Sequence, residues 1–390
     1  MNRKGICLIH CLILLSLLLT GCWDRQELNQ LAIISALGID QTRDGKIIVY
    51  TQEINPRTVG GGGGTESTDE GSGGQKTLLR METGGTVADA LFKLQSKAGR
   101  KLFWGQTMLV VFGEEIVRRG IQPQVDFLMR HPQMRLRANV FVSKDPGAVL
   151  EIQSPVENSS ARTIRNMVEL RWRKAMDIRE LAMTMVGDAE AAMIPHIQPA
   201  SKETPYIYES VVIKEGKWAG KLNRVTTEGV LWHRNEMKNG SVSLNLPGSQ
   251  GGAAGVRIDN SHVDMIPKIE QGEWSMTVRI HVEDDIEVNE TVLSMKNPRF
   301  TQIIEEAAEK KIHAQAQKML QRVQHDLKAD VLGFAEAFHR KYPREWEQVK
   351  DRWDQVFPKV KVKLQVKVDV ERVGMTTWPA GLPLDKVKKK

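Results

Sequence analysis

Residues 359–372 read KVKVKLQVKVDVER, and their period of two decides how the second half of the chain folds. Val360, Val362, Leu364, Val366, Val368 and Val370 alternate with Lys361, Lys363, Gln365, Lys367 and Asp369. Successive side chains of a strand point to opposite faces, so this is a strand with one buried and one wet face. The buried row needs a cover, and the sequence upstream supplies one. From Pro298, the residues Phe300, Ile303, Ile304, Ala307, Ala308, Ile312, Ala316, Met319, Leu320, Val323 and Leu327 recur at steps of three and four. They form one apolar stripe on a long helix. Glu305, Glu306 and Glu309 precede Lys310 and Lys311, as the helix dipole favours. Shorter helices are expected over 332–341 and 343–353. The lysine row reads as a solvated face that also discourages edge-to-edge pairing; contact with acidic lipid is the alternative.

Upstream of the helix, YESVVIKEG, TTEGVLWHR, SVSLNL, GVRIDNSHVDMI and SMTVRIHVEDDIEV read as strands, with turns at Gly216, Gly240 and Gly272. Residues 206–380 are therefore expected to form an α+β domain in which an antiparallel sheet packs on the long helix. Residues 381–390 form a basic tail. The first half alternates strands and helices. Strands are expected over 31–40 and 46–54, joined at Asp44-Gly45, and at TLLRMET. A glycine-rich stretch, 60–74, should be a flexible loop between two paired strands. It lacks the Gly-Lys-Ser/Thr ending of a phosphate loop. Thr86 should cap a helix carrying Val87, Leu91 and Leu94. A single apolar strand follows over 102–112, then helices over Glu114–Arg119 and 123–130, the strand RLRANVFVS, and helices over 146–152, 158–172 and 177–186. Pro195, Pro199 and Pro205 mark the boundary of a region spanning 22–200. The fold class is α+β, multi-domain, with mixed sheets and packed helices.

The N-terminus fixes location. Asn2-Arg3-Lys4 precedes an apolar run from Ile6 to Leu19, shorter than the roughly 20 residues of a membrane-spanning helix. It reads as the core of a signal peptide covering 1–21. The run ends in Leu19-Thr20-Gly21-Cys22, which resembles a bacterial lipobox: cleavage falls between Gly21 and Cys22, and the Cys22 sulfur carries a diacylglyceryl group. Of the three cysteines, Cys7 and Cys11 lie in the discarded segment. The mature chain then has no thiol for disulfides, zinc sites or nucleophilic catalysis. Two acyl chains anchor stably where one is marginal. The net charge of +7 suits an anionic bilayer surface. Nucleic acid is a poor partner for an exported protein.

No catalytic motif stands out. H-E-x-x-H, G-x-S-x-G and G-x-G-x-x-G are absent, and the histidines are scattered. The acid pairs Glu114-Glu115, Asp284-Asp285 and Glu305-Glu306 cannot each form the facing carboxylates of a glycan hydrolase. Nine tryptophans are spread along the chain without a sugar-stacking cluster. The sequence implies no cofactor and no metal.

Several stretches together carry a family resemblance. LTGCWDRQELNQLAIISALGID, LFWGQTMLVVFGEEIVRRGI, VDFLMRHPQMRLRANVFVS, TEGVLWHR and YPREWEQVKDRW resemble, in order, the C subunits of Ger-type spore-germination receptors. The matching residues include Trp104, Gly105, Gly113, Glu114, Glu115, Gly120, Leu128, Arg135 and Arg137. The glycine-rich loop departs from the family in length and composition. The resemblance implies a non-catalytic lipoprotein required for germination. It would lie on the outer face of the spore's inner membrane and assemble with two polytopic membrane subunits of a nutrient receptor. Trp104, Glu114, Glu115, Arg118 and Arg119 are the candidate partner-docking residues. A cortex hydrolase and a solute-binding lipoprotein remain as alternatives.

Overall fold

The computed structural model describes residues 28–54, 77–154, 156–157, 159–238, 240–246, 252–258, 260–292, 294–372, 376–378, 382–383 and 387. The signal segment, Gly21, Cys22, segment 60–74 and most of the basic tail lie outside these residues.

The first sheet has nine strands: β1 (Leu31–Gln41), β2 (Ile47–Ile54), β3 (Thr77–Gly84), β4 (Lys101–Phe103), β5 (Leu109–Gly113), β6 (Asn139–Ser143), β7 (Ala191–Pro199), β8 (Pro205–Lys214) and β9 (Lys217–Leu222). Their order is β3-β2-β1-β5-β6-β7-β8-β9, with β4 also on β1. The centre, β1-β5-β6-β7, is parallel, and antiparallel strands complete both edges. β1 is buried on both faces, as a central parallel strand must be. Gly45 turns the chain between β1 and β2 at φ 91°. β2 and β3 pair from Ile54–Thr77 to Ile47–Gly84, so the two strands flanking 60–74 are neighbours, as expected.

The helices of this half are α1 (Val87–Lys97), α2 (Glu114–Arg119), α3 (Gln122–Arg130), α4 (Pro146–Leu150), α5 (Ser160–Arg171), α6 (Ile178–Met185) and α7 (Arg224–His233). Thr86 caps α1, its hydroxyl oxygen accepting from the Asp89 amide at 3.1 Å. α1, α2, α3 and α6 bury Leu91, Ile116, Val125 and Leu181 in a core on one face of the sheet. α4, α5 and α7 enter a second core, which runs on without a break into the second half.

That half holds β10 (Gly240–Asn245), β11 (Ala253–Ile258), β12 (Asn260–Glu270), β13 (Glu273–Asn289) and β14 (Lys361–Arg372). Its helices are α8 (Pro298–Leu320), α9 (Phe334–Lys341), α10 (Pro343–Glu347) and α11 (Trp353–Val356). α8 buries Phe300, Ile304, Ala308, Ile312, Ala316 and Met319, the expected stripe, and continues as a π-helical turn over Gln321–Asp326.

Five expectations need correction. The C-terminal sheet is mixed: β14 runs parallel to β13, because α8–α11 carry the chain back before the last strand, and such a crossover gives a parallel neighbour. TTEGVLWHR is helix α7. Its β-branched residues favour a strand, but the Asn223 side chain caps a helix at Thr226 N (3.0 Å), and burial on α8 outweighs propensity. The apolar run 102–112 is broken into β4 and β5 by a turn at Trp104-Gly105, where the Thr107 amide donates to Trp104 O. GVRIDNSHVDMI divides into β11 and β12. The helix expected over 343–353 is likewise shorter: α10 ends at Glu347 and Lys350–Arg352 is a separate 3-10 turn. β8 and β9 follow the expected boundary near 200 and nevertheless complete the first sheet.

Candidate functional site

α2 springs directly from the buried strand β5, and Gly113 is the hinge between them. Gly113 offers no capping side chain; Asp40 on neighbouring β1 substitutes, its Oδ1 accepting from the Ile116 amide at 3.3 Å. A Cβ on Gly113 would stand 1.9–2.3 Å from the Asp40 carboxyl atoms, so only glycine fits. Burial raises the Asp40 pKa, opposed by the backbone donors of Gln41 and Ile116.

Glu114, the first residue of α2, reaches β7, where its Oε1 lies 3.0 Å from His196 Nε2. His196 is 2% exposed. Burial lowers its pKa, and Lys221 pushes the same way against the pull of Glu114. The ring is therefore neutral at pH 7, with Nε2–H assigned as the donor to Glu114. Arg118, one turn on, sits 3.5 Å from Glu114 and 4.2 Å from the Trp218 ring centroid on β9. Arg119 donates to Arg43 O at 3.1 Å. Glu115, Arg118 and Arg119 are exposed, and Glu114 is partly so.

Four of the five candidate residues thus share one short helix. Trp104 does not join them. It is 4% exposed and packs edge-on to His131 at 6.0 Å. The β4–β5 turn folds its indole into the core, where the area it buries outweighs any outward role. Asp40, His196 and Trp218 hold the site together yet carried no signal in the sequence. Each meets α2 only through sheet pairing across many residues.

Two clefts gather polar side chains. One, of about 410 Å³, lies between α5, α7, β10 and α8. Arg171 and Arg224 stack over Tyr208 there at 3.8 and 5.0 Å, and Glu228 is the one carboxylate among the described lining residues. In the other, beside α6, Asp188 is held by His339 (2.7 Å) and Glu180 by Lys174 (2.8 Å), while Asp177 and Glu336 also line it and burial, with Asp330 beside it, raises the Glu336 pKa. Among the described residues no cluster of three or more His, Cys, Asp or Glu could hold a metal ion. Nor is any described helix long and apolar enough to cross a membrane.

Two family models match this chain in tandem. The spore germination protein N-terminal domain matches residues 24–199, and the C-terminal domain of spore germination B3/GerAC-like proteins matches residues 209–374. The chain belongs to the GerAC-like spore germination family. The two matches meet inside the β7–β8 hairpin of the first sheet. Similar GerAC-like relatives include spore germination protein KC of Bacillus subtilis, 26% identical over 97% of this chain and 98% of that one. Spore germination protein A3 of the same species is 22% identical over 94% and 97%. The crystal structure of the GerBC protein superposes with a TM-score of 0.58 at 16% identity, covering 86% of this chain and 96% of that one, and so shares the fold.

Proposed function

We propose that this GerAC-like protein is the lipid-anchored subunit of a nutrient germinant receptor, needed for the spore's germination response and acting by binding, without catalysis. The observation that carries this reading is the pair of family matches over residues 24–199 and 209–374, the first beginning directly behind Leu19-Thr20-Gly21-Cys22. In this reading the signal peptide is cut between Gly21 and Cys22, and the lipid on Cys22 holds the protein to the outer face of the spore's inner membrane. Its partners are the receptor's two polytopic membrane subunits and the bilayer, and it takes no cofactor. The α2 surface supports the docking role. Glu114 and Arg118 are fixed by His196 and Trp218, which leaves Glu115 and Arg119 presented on a rigid base. Rigid, pre-positioned charges lose little entropy on binding.

The test combines two variants in spores. Cys22→Ala should abolish lipidation, read by mass spectrometry of the N-terminus, and with it nutrient-triggered germination. Germination by agents that bypass the receptor should be normal. Glu115→Lys with Arg119→Glu should leave the protein folded and anchored but reduce its co-purification with the membrane subunits. Unmodified Cys22 in wild-type spores would refute the anchor. Unchanged assembly of the double variant would refute docking through α2.

A further inference from the structure

The parallel strands give the first sheet two unlike ends. β1 begins at Leu31, and β4 begins beside it, with Lys101 paired to Leu31. β6 begins at Asn139, level through Leu109 with Ala36, five residues into β1, and the loop that carries Arg135 and Arg137 precedes it on the Leu31 side. α1 and α3 run back along the sheet, so their C-terminal turns reach this same end. α6 starts here too, the Arg179 amide donating to Leu136 O. Among the described residues, five basic side chains lie on this side, Arg100, Lys101, Arg135, Arg137 and Arg179, with Asp177 and Glu180 at the start of α6 beside them. Lys101, Arg137 and Arg179 are exposed, Arg100 and Arg135 partly so. None of the five makes an ion pair among the described residues. Arg130 is neutralised by Asp126 at 2.8 Å, and Met129 beside it is 39% exposed. The opposite end is mixed in sign, with Asp44, Asp145 and Glu115 beside Arg43, Lys144, Arg118 and Arg119.

We propose that this basic end of the first sheet rests on the anionic headgroups of the bilayer. The inference rests on the anchoring of Cys22. From Cys22 to Leu31 the chain can span at most about 30 Å, and it arrives at the basic end. β1 itself extends about 35 Å from there at strand rise, so the mixed end could meet the same bilayer only if the tether doubled back along the whole sheet. Unpaired cations near a surface of anionic lipid gain attraction that falls off within a Debye length. An exposed methionine among them suits the interface. α2 then faces away from the lipid, free to meet whatever part of a partner projects above the membrane.

The experiment uses the lipidated protein in vesicles of phosphatidylglycerol and phosphatidylcholine. Lys101→Cys, Arg137→Cys and, in the distal β1–β2 turn, Asp44→Cys are each labelled with one fluorophore. Quenching by headgroup spin-labelled lipid is then read. Labels at 101 and 137 should be quenched at least threefold more than the label at 44, and 0.5 M salt should weaken the difference. Equal quenching at all three positions, or stronger quenching at 44, overturns the proposal. So does a pattern in which 101 and 137 stay unquenched in vesicles but are shielded from labelling in the assembled receptor, which would make the cationic end a protein contact. Uptake of label by wild-type Cys22 would instead show that the anchor is missing, a separate failure. Reversing Lys101, Arg135, Arg137 and Arg179 to Glu should remove the quenching at a probe on Met129→Cys while attachment through the lipid persists. If that variant unfolds, the single-cysteine comparison still decides.

Discussion

Gly113 and His233 carry physical commitments that their neighbours do not share. At Gly113 the Asp40 carboxylate occupies the space of a Cβ. Gly113→Ala must push Asp40 off its hydrogen bond to Ile116 or shift α2, at a cost of about 1–3 kcal/mol. Urea unfolding should show that loss; an unchanged midpoint would mean that Asp40 swings aside freely. His233 is 1% exposed at the end of α7, with its ring 5.5 Å from Phe334. Burial pushes its pKa down from 6.5 to about 4. The folded protein keeps the ring neutral, whereas the unfolded chain binds a proton below about pH 6.5. The contribution to stability is therefore complete above pH 6.5 and is lost as pH falls toward 4, by about 3 kcal/mol in total. His233→Gln should flatten this part of the stability–pH curve. If wild type and variant lose stability in parallel between pH 7 and 4.5, the ring titrates normally.

Among elements, the open edge of β14 is managed by α8. Glu305 and Glu309 lie on the face of the helix toward that edge and accept from the amides of Val370 (2.9 Å) and Val368 (3.1 Å). The two carboxylates occupy donors that would otherwise invite another strand, and Lys361, Lys363 and Lys367 stand exposed along the rest of the edge. Glu305→Ala with Glu309→Ala should cost about 1–2 kcal/mol and promote concentration-dependent association, read by light scattering. A monomer of undiminished stability would show that water serves those amides equally well. The π-helical turn that ends α8 has a visible use as well. It turns the buried Gln324 toward the last crossover, where its Nε2 donates to Phe357 O and Val360 O at 2.8 Å each.

At the scale of the whole molecule, one core joins the two halves. α7, contributed by residues just past the first sheet, packs on α8 so closely that a Cβ on Gly229 would stand 2.6 Å from Met319 Cβ. The halves are therefore expected to unfold together, whatever the length of the segments outside the cores. Replacing 60–74 with a short turn should leave the thermal midpoint within a degree or two. β2 and β3 already meet at Ile54–Thr77, and loop length enters stability only logarithmically. A midpoint shifted by many degrees would show that the segment packs against the body.

The sequence by itself determined the local elements whose residues repeat. The lysine–valine alternation of β14, the stripe of α8, the Thr86 cap and the Asp44-Gly45 turn were all legible, because each is set by neighbours within a few residues. The ordered stretches around Trp104-Gly105 and Gly113-Glu114-Glu115 were enough to indicate the family. Tertiary structure decided the rest. Only the crossover through α8–α11 makes β14 parallel, packing on α8 added to the Asn223 cap makes TTEGVLWHR a helix, and only the β4–β5 turn buries Trp104. The partners of α2 were hidden for the same reason: Asp40, His196 and Trp218 come from three strands far apart in the chain. Periodicity records which side of an element is buried, but which elements do the burying depends on long-range pairing that no local window contains.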